Sequence, residues 1–193
     1  SRWEQADKSI LRAIFPLLAS GDPVTVERIA RATGAEVAVI QTALQVGRAD
    51  RNSKGWVTEL FGITTLPTTH RVEIKGVVLY SCCALVAQMV PMLVDQPARI
   101  ETVDPISRRL VRVELSPTRL VGIEPPQAWG TLVRTELEAM QLNVGEAFCN
   151  HIHNFSSQKT AEQFAGQDER RYILKMEEFH DVARQLTRAI WCD

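Results

Sequence analysis

The residues best suited to chemistry are cysteines in two distant segments of the chain. Cys82 and Cys83 are adjacent, between a strand-like run at 77–81 and a helix-like run that ends near Leu93. A thiol at the start of a helix lies near the positive end of the helix dipole, which favours the thiolate that attacks electrophiles and binds soft metals. The second segment contains Cys149. We expect Cys83 and Cys149 to meet in the folded protein.

The adjacent pair is less suited to binding a single ion by itself. Neighbouring side chains point in different directions in a strand or a helix, so Cys82 and Cys83 should not share one ion, and a distant partner such as Cys149 fits better. The alternative is that these cysteines are structural, because unpaired cysteine is among the most buried residue types and packs as a small hydrophobe. Cys192, beside the C-terminus, has no expected role.

Two histidines follow the second cysteine segment. If residues 148–155 form a strand, Cys149, His151 and His153 share one face, because alternate side chains of a strand point the same way. Zinc with cysteine and histidine ligands would suit such a face. The alternative, which we favour, is that one histidine is a hydrogen-bonded core residue and the other flanks it.

The overall composition excludes several classes of protein. The 193 residues carry a formal net charge of -1, which gives no electrostatic reason to expect nucleic acid or an anionic membrane as a partner. No apolar run reaches the roughly 18 residues that would span a bilayer. Four cysteines in a chain of this length do not form a disulfide scaffold. We therefore expect a cytoplasmic protein with reduced thiols.

The N-terminal part of the chain has the pattern of three short helices. Apolar residues recur at helical spacing over residues 9–20, 26–33 and 36–46, with a tight turn between the last two. Residues 48–56 would form the turn of a wing. This pattern predicts a helix-turn-helix, or winged-helix-like, module over residues 1–58.

A role in DNA binding has little support from the charges of this module. The third helix offers Glu36 and Gln41 and has no Lys or Arg before Arg48. Phosphate contacts from cationic side chains supply much of the affinity of DNA-binding modules. We expect the module to serve as a scaffold or lid and not to bind nucleic acid.

The remainder of the chain, residues 59–193, is predicted to be an α+β domain. A helix is expected after the cysteine pair, a short helix capped by Thr160 ends near Gly166, and a last helix covers 172–190. Strands are predicted at 56–65, 70–74, 77–81, 99–103, 110–115, 120–123, 131–137 and 148–155. The predicted fold is thus a three-helix module followed by a mostly antiparallel sheet with flanking helices.

The cysteine segments also resemble those of a known family, the organomercurial (alkylmercury) lyases. The resemblance covers most of the chain and depends chiefly on the two cysteine segments. The matching residues are Gly21-Asp22-Pro23-Val24, Gly62-Ile63-Thr64, Val72-Glu73-Ile74, Leu79-Tyr80, Cys83-Ala84-Leu85, Phe148-Cys149, His151-Ile152-His153 and Phe155.

This resemblance implies a specific chemistry. Cys83 and Cys149 would be the two thiolates that bind an organomercurial, since soft sulfur ligands match mercury. A nearby acid would then protonate the carbon bound to mercury, releasing hydrocarbon and leaving Hg(II) on sulfur. Mercury would be substrate and product, and no resident cofactor is expected, although a bound soft metal ion is an alternative.

The chain departs from the family pattern at one position. The family's proton-handling aspartate lies three residues after the first cysteine, and this chain has Val86 there. Cys82, Tyr80, a bound water or a cysteine of the pair could supply the proton instead, with His151 as a further auxiliary residue. Loss of a general acid should slow turnover without preventing binding. Two alternatives remain: other thiol chemistry on a small electrophile, and a metal-responsive regulator, which the shortage of basic residues disfavours.

Overall fold

The N-terminal part of the computed structural model, which describes residues 8–191, is a bundle of three helices. They are α1 (Lys8–Leu18), α2 (Val26–Thr33) and α3 (Val37–Val46). The side chain of Thr25 accepts a hydrogen bond from the Arg28 N–H and so caps α2, which ends at Gly34 in the left-handed conformation. The predicted helix-turn-helix is therefore present.

The main sheet contains eight antiparallel strands, as predicted in outline. In spatial order the strands run β1-β2-β3-β5-β4-β6-β7-β8. Their bounds are β1 (Asp50–Arg51), β2 (Val57–Leu60), β3 (Ile63–Thr64), β4 (His70–Ile74), β5 (Val77–Ser81), β6 (Ala98–Val103), β7 (Leu110–Leu115) and β8 (Leu120–Glu124). β1 and β2 form the hairpin at the expected wing, so the N-terminal module and the core share one sheet. The division at residues 58 and 59 stays a prediction.

Helix α4 (Ala84–Val94) is the central helix of the molecule. Ten of its eleven residues are buried, which suits a helix that is apolar on all sides. It packs against the main sheet, against α1 and against the C-terminal helix α8 (Met176–Trp191). Its first turn, and Cys83 directly before it, are held in the interior of the protein.

The C-terminal half differs from the predicted secondary structure in three places. The strand expected at 131–137 is β9 (Trp129–Val133), followed by the helices α5 (Leu137–Leu142) and α6 (Val144–Ala147). The strand expected at 148–155 is a 3-10 turn (Cys149–His151) and then β10 (Asn154–Phe155). The helix expected at 172–190 begins as β11 (Arg171–Lys175), because this segment pairs with β9 along its whole length.

A second, three-stranded sheet completes the fold. Its order is β10-β9-β11, and α7 (Gln158–Ala165) connects two of its strands. Ser157, not Thr160, caps α7, since its side chain accepts from the Thr160 N–H. A β-carbon at Gly130 would overlap the ring of Phe179, so this glycine lets α8 pack closely on the sheet. No helix among residues 8–191 is long and apolar enough to cross a membrane.

Candidate functional site

Cys82 and Cys83 occupy the junction between β5 and α4. Cys83 is the N-cap residue of α4, in extended conformation with φ -155° and ψ 166°. The Cys82 N–H donates to the carbonyl of Gly62 at 2.8 Å, and the Ser81 hydroxyl donates to the carbonyl of Cys83 at 2.9 Å. The backbone around both thiols is therefore fixed by hydrogen bonds, and the helix dipole of α4 points its positive end at Cys83, as expected.

The turn between β2 and β3 fixes the side chain of Cys82. Phe61 and Gly62 both have positive φ, at 54° and 73°. A β-carbon at Gly62 would overlap the sulfur of Cys82, so the thiol packs directly on the backbone of this turn. In the sequence, Gly62 stands out only as part of a family motif, because its contact with Cys82 depends on pairing between distant strands.

Cys149 approaches the same junction from the other cysteine segment. It begins the 3-10 turn, and the carbonyl of Ile152, directly after that turn, accepts from the N–H of Ala84 at 3.2 Å. This hydrogen bond ties the segment to the first residue of α4. Cys149 is 7% exposed and Cys83 is fully buried, whereas Cys82 is exposed.

The three thiols form one cluster, referred to below as the thiol cluster (Cys82, Cys83 and Cys149). Their sulfur atoms all lie within 4.8 Å of one another, and the Sγ atoms of Cys82 and Cys149 are 3.3 Å apart. The expectation that Cys83 and Cys149 meet is confirmed. The expectation that Cys82 and Cys83 diverge is wrong, because the chain changes from strand to helix between them and both sulfurs turn towards Cys149.

The electrostatics of the thiol cluster place the thiolate at Cys149. Hydrogen bonds from Cys82 and then from Cys83 lower the pKa of Cys149. The same bonds, each to the Cys149 sulfur, raise the pKa values of Cys82 and Cys83, and burial raises that of Cys83 further. These hydrogen bonds therefore favour a thiolate at Cys149, with Cys82 and Cys83 as thiol donors.

Another sequence-predicted residue, Val86, lies in the first turn of α4 beside the site. It is the third residue of α4, one turn after Cys83, and is 8% exposed. Its backbone N–H acts to lower the pKa of Cys83, although the bond from Cys149 has the larger, opposite effect. Tyr80 lies in β5, partly buried, and pairs in register with Thr64 and Arg71.

The histidines are engaged in other contacts. Nδ1 of His151 accepts from the Arg171 guanidinium at 3.0 Å, so Nε2 carries the proton and donates to the carbonyl of Glu146 at 3.1 Å. Nε2 of His153 lies 3.0 Å from the carbonyl of Asn150.

The group of potential metal ligands found within residues 8–191 contains the three cysteines and neither histidine. The strand-borne zinc site is therefore wrong, because residues 149–151 turn instead of extending. Cys192 lies outside the described residues.

One acidic residue near the cluster was also missed. Glu59 in β2 is partly buried, and its pKa is raised by burial, by Asp50 and by Cys149. A negative charge at Cys149 thus lies within electrostatic range of a second negative group.

Two surface cavities contain none of the three cysteines. One is lined by residues 97–99, 114, 115 and 121, and the other by residues 165–169 and 171.

The fold and the site define an α+β protein with an N-terminal helix-turn-helix and a thiol cluster at a strand-to-helix junction. Residues 63–188 match the family model described as alkylmercury lyase, and residues 4–58 match the helix-turn-helix domain of alkylmercury lyase. The chain belongs to the alkylmercury lyase family.

Individual relatives agree with this assignment. The chain is 34% identical to an alkylmercury lyase of Staphylococcus epidermidis over 92% of its own length and 81% of that protein. It is 29% identical to an alkylmercury lyase of Streptomyces lividans, over 93% of its own length and 82% of that protein. A crystal structure of the mercury-bound form of MerB2 shares the fold with a TM-score of 0.75 and 20% identity, covering 95% of this chain and 90% of that one.

Proposed function

We propose that the protein binds organomercurials or Hg(II) through Cys83 and Cys149 and cleaves the carbon–mercury bond slowly. The observation that carries the proposal is the thiol cluster, in which sulfurs from two distant segments lie within 4.8 Å. Two soft sulfur ligands match mercury, and family membership supports the same chemistry. A cytoplasmic location, where thiols stay reduced, is part of the proposal.

The first step would be attack by the thiolate of Cys149. It displaces the leaving group X⁻ from R–Hg–X and forms a sulfur–mercury bond. The site suits this step because the hydrogen bonds from Cys82 and Cys83 favour the thiolate at Cys149. The other two cysteines remain protonated thiols at this stage.

The second step would transfer a thiol proton to carbon. Cys83 forms the second sulfur–mercury bond as its proton leaves, either directly to the carbon or by way of Cys82. The carbon–mercury bond breaks with its electron pair on carbon, so the products are R–H and mercury held between two sulfurs. The sulfur of Cys82 lies 3.3 Å from that of Cys149, which makes Cys82 a better placed donor than Tyr80 in β5.

The second candidate function is capture of a soft metal or small electrophile without turnover. Val86 favours this alternative, because it occupies the position at which the resemblance places the family's aspartate and its side chain holds no proton to transfer. Slow turnover releases the hydrocarbon R–H, whereas capture alone releases none, so detection of the hydrocarbon distinguishes the two functions.

The test uses the reduced full-length protein under anaerobic conditions with one equivalent of phenylmercury. We expect 1:1 binding followed by slow release of benzene, measured by gas chromatography. Cys83→Ser and Cys149→Ser should each remove tight binding, while Cys192→Ser serves as the matched control and should retain it. Unchanged affinity in both site variants would contradict the dithiolate site, and binding without benzene would favour capture alone.

A further inference from the structure

The thiol cluster has one more sulfur than a two-coordinate mercury complex uses. From its geometry we propose a second ligand class: the three cysteines bind trivalent arsenic through three As–S bonds. The balanced step is As(OH)₃ + 3 R–SH → As(SR)₃ + 3 H₂O, in which three arsenic–oxygen and three S–H bonds break and no oxidation occurs. This inference goes beyond the proposed action on organomercurials and does not require it.

The distances suit a single central atom. For thiolate bonds of about 2.3 Å, three sulfurs on one centre lie at most about 4 Å apart, and about 3.5 Å apart in the pyramidal geometry of As(III). The Sγ atoms of Cys82 and Cys149 are already 3.3 Å apart and all three sulfurs lie within 4.8 Å, so ligand binding requires movements on the order of 1 Å, which side-chain rotation can supply. The sulfurs also come from two segments that Ala84 and Ile152 join by a backbone hydrogen bond, which organises the site before the ligand arrives.

The charge of the complex separates arsenic from mercury. Three thiolates on As(III) give a neutral complex, whereas three on Hg(II) leave one negative charge and two leave none. Cys83 and Cys149 are buried, and Glu59 lies within electrostatic range of Cys149. Because a buried net charge is costly, mercury should use two sulfurs here and arsenic all three.

Cys82 is therefore the residue that the two ligands use differently. It is the exposed member of the cluster, and Gly62 holds its sulfur against the turn between β2 and β3. Replacing Cys82 removes one of three bonds to arsenic and leaves both sulfurs that bind mercury. Replacing Cys82 should therefore lower the affinity for arsenite at least about tenfold more than it lowers the affinity for Hg(II).

Mass spectrometry of the reduced protein with one equivalent of arsenite tests the bond count directly. The unsubstituted protein should gain the mass of one arsenic less three hydrogens. In Cys82→Ser the adduct should retain a hydroxyl on arsenic and lose only two hydrogens. Phenylarsine oxide, which can form only two As–S bonds, should give an adduct that has lost two hydrogens in both proteins. Cys192→Ser should behave as the unsubstituted protein.

The results that would contradict the three-sulfur site differ from those expected. A hydroxyl-bearing adduct in the unsubstituted protein, or equal arsenite affinity in Cys82→Ser, would overturn the three-sulfur site. If Cys82→Ser lost its circular dichroism spectrum, Cys82→Ala would replace it. Cys149→Ser also keeps two sulfurs of the cluster, so its arsenite adduct should likewise retain a hydroxyl and lose only two hydrogens. Unchanged arsenite affinity in Cys149→Ser would also reject the proposal. No hydrocarbon is released in these measurements, so failure of the lyase proposal would not affect them.

Discussion

At the residue scale, we attribute the proposed slow turnover to Val86. It is one helical turn from Cys83 and nearly buried, so a carboxyl there could reach a carbon bound to mercury. We predict that Val86→Asp raises the single-turnover rate of benzene release about tenfold or more, because general acid catalysis typically contributes on the order of 10²–10⁴-fold. Burial would raise the pKa of the new carboxyl, which keeps it protonated and able to act.

Val86→Asn is the matched control for this substitution. The asparagine has nearly the shape of aspartate but no acidic proton, so it should show no gain. Benzene release from the phenylmercury complex is followed at several pH values in all three proteins. Equal gains in the two variants, or none in a folded Val86→Asp that binds mercury, would show that the missing acid is not what limits turnover.

The thiolate at Cys149 predicts an unusual pH dependence of capture. Because hydrogen bonds from Cys82 and Cys83 lower its pKa, the thiolate persists as pH falls and is lost only below that lowered value. An ordinary thiol with a pKa of about 8.5 loses most of its thiolate between about pH 8 and pH 6. We expect the rate of phenylmercury capture, by stopped flow, to be nearly constant over this interval. Cys82→Ala should slow capture more at the lower pH; a parallel loss at both would contradict the assignment.

At the scale of elements, Asp104 holds together the end of β6 and the segment that follows Cys149. Its buried carboxylate accepts from the Ser156 N–H and hydroxyl, from the Thr160 hydroxyl and from the N–H groups of Ile106 and Ser107, at 2.8–3.0 Å. Burial acts to raise the pKa of Asp104, but these bonds outweigh it and lower the pKa overall. The carboxylate is therefore a structural anchor for β10 and α7.

We predict that Asp104→Asn lowers the free energy of unfolding by about 1–3 kcal/mol, since an amide leaves buried donors without an acceptor. Because the folded pKa is lowered, the carboxylate stabilises the fold above its unfolded value of about 3.9 and loses this effect as pH falls. Urea unfolding at several pH values measures both effects. The substitution should flatten the acid dependence, and Asp22→Asn, at an exposed carboxylate, should not. Equal stability of the two variants would contradict the anchor.

Helix α3 bears on the question of nucleic acid. Its exposed positions are Val37, Ala38, Val39, Gln41, Thr42 and Gln45, and the helix contains no Lys or Arg. A surface of this kind lacks the cations that contact phosphate. We predict that selection from random duplex DNA at physiological salt returns no enriched motif. An enriched motif bound at nanomolar affinity would favour the regulator alternative.

At the scale of the whole molecule, short sequence patterns were sufficient to predict those elements whose formation depends on local interactions. Helix α2 and the two strands of the 70–81 hairpin were predicted from such signals, and the meeting of Cys83 with Cys149 is likewise confirmed. The alternation of residues 148–155 indicated a strand, but Thr131 donates to the carbonyl of His151 and accepts from the N–H of His153, which fixes a turn. That contact, like that of Gly62 with Cys82, depends on tertiary structure that no short window encodes.

The arrangement of the whole chain gives the last prediction. A ligand in the thiol cluster joins the β5–α4 junction to the segment of Cys149, which follows α5 and α6, two helices without buried residues. Leu142 in this segment is 86% exposed. Mercury should therefore slow hydrogen exchange most strongly in residues 137–152, because local opening there would break a sulfur–mercury bond.

Binding should also raise the thermal midpoint. A free ligand concentration of about 1,000 times Kd adds about 4 kcal/mol, and each kcal/mol shifts Tm by roughly 2–4 °C in a chain of this size. Differential scanning fluorimetry and hydrogen exchange with one equivalent of phenylmercury measure the two effects. Cys149→Ser should lose the local protection, whereas Cys192→Ser should keep it. Uniform protection, or protection confined to α4, would mean that mercury does not bridge the two cysteine segments.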